Sequence, residues 1–585
     1  MKENLNRLQS LGYKMAGFLF LLLVVLFGWL LIRGALVNDN RFSEAESVTT
    51  DVQGTYTVTQ IDTPTTEPTA VVVEDAVDEE TAVSPPTATT EPTQPADPTP
   101  PTEEATAAPF IAAVAAGPLR VSQSNSRYFE DPNGNIVYLT GSHTWSNLQD
   151  NGGSDPPPVF DYPAYLDFLE ANNHNFFRLW SWEESRWTVE TTDNNYWFFP
   201  MPYERTGPGT ALDGKARFDL NQFNQAYFDR LRERVVAANE RGIYVAIVLF
   251  NGWSVADNKG GFGDNNPWRG HPFNEANNVN GIDGDTNNDN SGEEVHELGN
   301  TAVTAIQEAY VRKVIDTVND LDNVLFEISN ESHGDSQAWQ YHMINFIKDY
   351  EATLPQQHPV GMTVEYPNGS NRELFNSPAD WISPNGDVNN PDLADGRKVI
   401  LADTDHLCGI CGNRQWVWKS FTQGENPIFM DGYDGAGYGV GGAGFDFNNS
   451  TWVSLRENLG FARSYAQRVD LATMEPRPDL SSSGYALASD KAFIVYDPSG
   501  GSVQVDLTAV TGQFSVEWLD PETGDVFTGA TVEGNAVRNF IAPFSGDAVL
   551  YLCWVGATSS LSTPVSGATD TNYLPLVMNG SPDCS

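Results

Sequence analysis

The chain has 585 residues, with 32 Lys and Arg against 78 Asp and Glu, a formal net charge of −46. That acidity excludes nucleic acid and anionic membrane surfaces as charge-held partners, and four cysteines exclude a disulfide framework. The length has room for several domains.

Residues 15–32, MAGFLFLLLVVLFGWLLI, carry no charge and are long enough for a transmembrane helix. Lys2, Arg7 and Lys14 precede them, so the positive-inside bias places residues 1–14 in the cytoplasm and the remainder outside the cell. The alternative is a cleaved signal peptide and a secreted protein. Residues 33–116 are expected to form a disordered stalk. Runs such as TPTTEPTA and SPPTATTEPTQPADPTPPTEEAT hold too few apolar side chains to offset ordering, and their prolines keep the chain extended.

From 117 the text becomes globular. Residues 127–129 and 136–140 read as strands around an Asn133-Gly134 turn, running into Gly141-Ser142-His143-Thr144-Trp145, a first barrel strand and its loop. A helix over 162–172 leads to a strand at 175–180, NFFRLW, whose end carries Arg178, Trp180 and Trp182. An aromatic loop with Trp187, Tyr196, Trp197 and Tyr203 follows, then a helix over 219–241 stopped by Gly242. The run IYVAIVLF at 243–250 is a buried strand ending at Asn251-Gly252-Trp253. After a helix over 302–321 comes VLFEIS at 324–329, which stops at Asn330-Glu331. Further helices are expected at 339–350 and 414–421, and strands at 359–364, 381–383, 399–403 and 427–430. Eight strands alternating with helices predict an α/β fold, a (β/α)8 TIM barrel over 117–480. In such a barrel a carboxylate at the C-terminal end of a strand belongs to the chemistry, which singles out Glu331. Residues 481–555 alternate apolar and polar between Gly, Pro and Asp turns, as in a small antiparallel β-sandwich. A flexible tail, 556–585, includes the apolar YLPLVM at 573–578.

The segments GPLRVSQSNSRYF, IVYLTGSHTW, NFFRLWSWE, RFDLNQFNQAYFDRLRERVVAANERGIYVAIVLF and the Asn-Glu strand resemble a cellulase-like branch of the clan-A glycoside hydrolases. The C-terminal part is similar to the collagen-binding-type sandwich that follows such barrels. The resemblance covers about 117–555 and implies hydrolysis of O-glycosidic bonds in a poly- or oligosaccharide by two carboxylates, without a cofactor in catalysis. It makes Glu331 the general acid/base, with Asn330 beside it, and places Arg178 near the nucleophile. The family's nucleophile is a Glu ending the seventh strand. Here that strand offers Asp403-Thr404-Asp405-His406 instead. Period-two alternation puts Leu401, Asp403 and Asp405 on one face, so either Asp is the expected partner of Glu331, the alternative being a structural ion pair or loop cap. The missing Glu leaves a second reading open: a catalytically inactive surface carbohydrate-binding or adhesion protein on a glycosidase scaffold.

Trp145, Trp180, Trp182, Trp253, Trp268 and Trp416 are expected at loop ends, where rings stack on sugar faces, the alternative for each being a core position; His143 and His406 are candidates for binding sugar hydroxyls, tuning a carboxylate or satisfying local hydrogen bonds. The run DGDTNNDNSGEE places Asp283, Asp285, Asn287, Asp289, Ser291 and Glu294 at the ligand positions of a calcium loop, with Asn288 where Gly is usual. The alternatives are a structural Ca²⁺ and an acidic solvated loop. Cys408 and Cys411 are expected to form a small disulfide loop, and Cys553 and Cys584 to pin the tail.

Overall fold

The computed structural model describes residues 117–189, 194–257, 259, 266–433 and 446–556. The expected anchor at 15–32, the stalk and the tail beyond Gly556 lie outside them. Among the described residues no helix is long and apolar enough to cross a membrane.

Eight parallel strands form the barrel: β1 (Gly141–His143), β2 (Phe176–Leu179), β3 (Tyr244–Asn251), β4 (Val324–Asn330), β5 (Val360–Thr363), β6 (Trp381–Ser383), β7 (Val399–Asp403) and β8 (Asn426–Met430). They pair in the order β1-β8-β7-β6-β5-β4-β3-β2. Asn175 N donates to Thr140 O, and Thr140 N to Asn175 Oδ1, both at 3.0 Å, so β2 returns to β1. Every residue of β3 and β4 is buried, as continuous apolar runs require when both faces of a strand are covered. On β4, Val324, Phe326 and Ile328 face the helices, and Leu325 faces the barrel axis with Phe176, Trp381, Leu401 and Ile428. The N-terminal strands supply Leu119 and Phe129, which with Leu139 plug the bottom of the barrel. Gly361 on β5 makes room for this packing, because a Cβ there would meet the Trp381 ring at 1.9 Å.

The surrounding helices are α1 (Tyr162–Ala171), α2 (Gln225–Asn239), α3 (Thr301–Val318), α4 (Gln337–Glu351), α5 (Asn371–Asn376), α6 (Thr404–Leu407), α7 (Arg414–Thr422) and α8 (Ser450–Ala466). Tyr227, Phe228, Leu231, Val235 and Ala238 give α2 its buried stripe. The expected start of this helix at 219 is corrected: Ala216–Phe223 is a strand paired with Tyr203–Thr210, and Asn224 caps the helix by accepting from Ala226 N. No helix separates β6 from β7.

The C-terminal sheet orders Glu475–Pro476, β9 (Ala486–Ala488), β10 (Ala492–Asp497), β15 (Ala548–Gly556), β12 (Gln513–Leu519) and β13 (Val526–Glu533). A second sheet pairs β11 (Ser502–Asp506) with β14 (Val537–Ile541). Alternation along β15 divides its side chains. Leu550 and Leu552 enter the core between the two sheets, while Val549, Tyr551 and Cys553 join the core of the barrel helices. Trp418 of α7 stacks on Tyr496, with centroids 6.5 Å apart, and Arg468 holds Glu517 at 2.7 and 3.0 Å.

Candidate active site

Three strands aim charged side chains at the barrel axis just above its apolar layers: Arg178 from β2, Glu327 from β4 and Asp403 from β7. The Arg178 guanidinium has five N–H donors, and each has an acceptor. Nε and Nη2 donate to Glu327 at 2.8 and 2.5 Å, Nη2 also to Asn330 Oδ1 at 2.7 Å, and Nη1 to Asp403 and Asp405 at 3.0 and 2.9 Å. The guanidinium also lies 4.6 Å over the Trp180 ring. Burial would lower its pKa, but Glu327 and the two aspartates raise it, so the charge is fixed.

Asp403 and Asp405 do not share a face in the way strand alternation predicts. The strand ends at Asp403, whose side chain accepts from Asp405 N at 3.0 Å and caps the short helix α6. That turn leaves Asp403 1% exposed behind the site, 2.9 Å from His143 Nε2, and brings Asp405 to a cavity wall. His143 in turn stacks on Trp180 at 5.5 Å. Burial pushes the Asp403 carboxyl up, yet His143 and Arg178 hold it well below the usual carboxylate range. Asp405 moves the other way: burial raises it and Arg178 offsets only part of the rise.

The cavity above has a volume of about 590 Å³, the size of a small-ligand pocket. Its walls include Trp145, Trp180, Trp182 and Trp253, with Glu331 and Asp405 among the polar groups. Glu331 follows the last residue of β4 with φ 47°, a left-handed conformation that L side chains rarely adopt. Its Oε2 accepts from Trp253 Nε1 at 2.5 Å, and Lys259 Nζ donates to its main-chain oxygen. Burial and then the Asp405 charge push the Glu331 carboxyl up to about 8, against Lys259, the Trp253 hydrogen bond and Arg178. Asn330 lines the cavity, as does His406. Arg178 already occupies Asn330 Oδ1 as a donor, so His406 Nε2–H donates there too, at 3.2 Å, and Nδ1 accepts from Ser383 Oγ at 2.7 Å. Burial lowers His406 to about 3, which keeps the ring neutral.

The structure thus brings together Glu331, Asp405, Asn330, His406, Trp145, Trp180, Trp182 and Trp253 at one cavity. Arg178, Asp403 and His143 sit directly behind it. Two expected sugar platforms do not reach it. Trp268 is 2% exposed and packs over Gly292, and Trp416 is 1% exposed in the helix core. Sequence reasoning missed Glu327, although a carboxylate inside an apolar strand, three residues before Asn330, was its signal. It also missed Tyr366, which stacks parallel to Trp253 at 6.3 Å, and Lys259, which sits in a loop with no local pattern.

Outside the cavity, the 283–294 loop closes on itself. Asp285 accepts from the main chain of Asp289 and Asn290 at 3.1 and 3.0 Å, and Asn288 takes φ 65°. Burial first, then the charges of Asp289 and Asp285, raises Glu294. Among the described residues no group of three or more His, Cys, Asp or Glu is arranged to hold a metal ion. Cys408 and Cys411 form the expected disulfide, with Cα atoms 5.9 Å apart, and Cys408, Gly409 and Ile410 line the cavity. Cys584 lies outside the described residues.

A structure described as a "putative glycoside hydrolase" from Bacteroides vulgatus superposes with a TM-score of 0.50 at 14% identity, covering 75% of this chain and 82% of that one. The barrel has a glycoside hydrolase fold. A glycoside hydrolase family 5 structure from the same organism matches with a TM-score of 0.46 and 14% identity over 75% of this chain and 94% of that one. Endo-glycoceramidase II from Rhodococcus sp. gives 0.35 and 14% over 73% of this chain and all of the other, 100%. Residues 172–366 match a family model described as a domain of unknown function, DUF6298. Residues 482–552 match one described as "Putative collagen-binding domain of a collagenase". No curated protein matches the chain in sequence.

Proposed function

We propose that the chain is a glycoside hydrolase acting on O-glycosidic bonds, with Glu331 as general acid and Asp405 as the second carboxylate. The observation that carries this reading is the divided pair at the cavity. Burial pushes Glu331 up to about 8, and the Arg178 guanidinium, 2.9 Å from Asp405, opposes the rise that burial gives that carboxyl, so Asp405 is the better placed of the two to carry charge. Cleavage needs that asymmetry: one carboxyl protonates the leaving oxygen, and the other attacks the sugar or activates water on its opposite face. Asp403 never reaches the cavity. Its role is to hold Arg178, His143 and the turn that presents Asp405.

The cavity suits an uncharged sugar. Arg178 has no donor left for an anionic substituent, and none of the described residues lining the cavity is Lys or Arg. An anionic sugar would bring an unpaired charge to a site already rich in carboxylates, which is expensive in a buried setting.

The reading extends to location: residues 15–32 tether the enzyme to the membrane with the barrel outside, and shaving intact cells with protease should release activity. Calcium in the 283–294 loop is a separate proposal drawn from spacing. It would add Asn287, Ser291 and main-chain oxygens to the carboxylates, and a melting temperature unmoved by calcium would discard it. The central test is a panel of neutral oligosaccharides incubated with the purified protein and with Glu331→Gln. Product from the wild type alone supports hydrolysis. Binding without turnover by both proteins would make the chain a carbohydrate-binding protein on an inactive scaffold.

A further inference from the structure

A line of buried polar groups runs away from the cavity, starting behind Glu331. Ser332 is fully buried, and its Oγ lies 2.7 Å from Ser329 Oγ and 3.0 Å from His296 Nδ1. His296 Nε2 lies 3.0 Å from Glu183 Oε1, and the ring stacks on Trp339 with centroids 4.5 Å apart. Glu183 also accepts from Asn251 N at 2.8 Å, and its other oxygen faces His271 Nε2 at 3.4 Å. His271 Nδ1 accepts from Phe273 N, so its proton is on Nε2, directed at Glu183. None of Ser332, His296, Glu183 and His271 lines the cavity that holds Glu331 and Asp405.

The polarity of the line follows from its ends. An ionised Glu183 accepts a hydrogen bond from His296 Nε2–H, and in that tautomer Nδ1 accepts from the Ser332 hydroxyl. Ser332 Oγ is then the acceptor for Ser329. Every hydroxyl proton therefore points toward Glu183, and the Ser332 side chain has one orientation.

What this orientation secures is the turn beside it. A non-glycine residue in the left-handed region costs on the order of 1–3 kcal/mol and persists only when its neighbours over-determine it. Main-chain bonds hold Asn330 O to Gly252 N at 2.8 Å and Ser332 O to Tyr366 N at 2.9 Å. The Ser332 hydroxyl is a further side-chain anchor of the same turn, beside Lys259 on the Glu331 main-chain oxygen, and it ties the end of β4 to the loop after β2 that carries Trp182.

We propose that Ser332, His296 and Glu183 form a positioning chain that keeps Glu331 aimed at the leaving-group oxygen. The inference rests on the hydrolysis proposed above. Its signature is dependence on the leaving group, because an aryl glycoside with an acidic phenol departs with little protonation whereas an alkyl or sugar leaving group needs the acid. The experiment compares wild type, Ser332→Ala and Glu183→Gln on a neutral oligosaccharide and on its dinitrophenyl glycoside, with melting temperature recorded for each.

The expected result is a fall in kcat/KM of about 10-fold on the oligosaccharide, as mispositioning by an ångström or less can cause. The loss of kcat/KM on the activated glycoside should be less than about 2-fold, because that ratio reports departure of the leaving group and no later step in which Glu331 acts as base. Equal losses on both substrates would mark a general structural effect and overturn the proposal. So would no loss on either from an active wild type. A wild type that cleaves no glycoside would overturn the hydrolase reading itself, and this inference with it.

Discussion

Arg178 and Glu327 meet side by side inside the barrel through hydrogen bonds of 2.8 and 2.5 Å, with side chains 2% and 0% exposed. They form the floor on which the candidate site stands, since the same guanidinium reaches Asn330, Asp403 and Asp405. Removing one partner of such a pair leaves a buried charge, which costs about 3–5 kcal/mol. Glu327→Ala is therefore expected to lower the unfolding free energy, read from denaturant curves, by that amount and to abolish turnover. Arg178→Lys should lose activity as well, because an ammonium has three donors and no planar fork to replace the five.

The pH dependence has a defined sign. The folded pKa of Glu331, about 8, lies above its ordinary value of 4.5, so the fold holds a proton that the unfolded chain has released. The stability this contributes is full below about 4.5 and is lost as pH rises through about 8. Activity that needs the proton should decline over the upper part of the same range. Glu331→Gln, which cannot ionise, should lose kcat by about 10²–10⁴-fold. It should also melt higher than the wild type above pH 8, with the difference shrinking toward pH 5. Paired melting curves across that range check the sign.

Asp405 and Asp403 should separate cleanly. Asp405→Asn keeps the shape of the cavity wall but removes the charge, so turnover should vanish while oligosaccharide binding survives. Asp403→Asn removes an ion-paired carboxylate held well below the usual range, so its stability contribution is present near neutrality and lost as pH falls through the folded pKa. That variant should be less stable near pH 7 and converge with the wild type in acid. Isothermal binding and melting measurements on the two proteins distinguish them.

The barrel was largely legible because its strands are continuous apolar runs, and the place of Glu331 at the mouth of the barrel was legible because Asn330-Glu331 ends one of them. Which of Asp403 and Asp405 reaches the cavity was not. Choosing between the aspartates required knowing that Asp403 caps a helical turn, which period-two reasoning does not foresee. Trp268 and Trp416 share their residue type with the true wall residues, and only the packing of Gly292 and of the helix core shows that they face inward. The positioning chain joins Glu183, His296 and Ser332 from three separate loops, and no local spacing connects them.

Cys408 and Cys411 close a loop whose Gly409 and Ile410 line the cavity four and five residues after Asp405. Cys408→Ser with Cys411→Ser, or reduction of the native protein, should weaken oligosaccharide binding by a few-fold through loosening of that wall, with a smaller effect on the melting temperature. Titration of Glu331→Gln with and without reductant reads this without turnover.

Tyr496, Val549 and Tyr551 belong to the sandwich by chain and to the barrel by packing. The appended domain is therefore not a detachable module on a string. A cut near residue 480 would strip α7 and α8 of an apolar cover, and Arg414 would lose Asp547, its 2.8 Å partner across the junction. Because α7 sits in the connection between the Asp405 loop and β8, exchanging the sandwich would mean rebuilding the packing behind the candidate site.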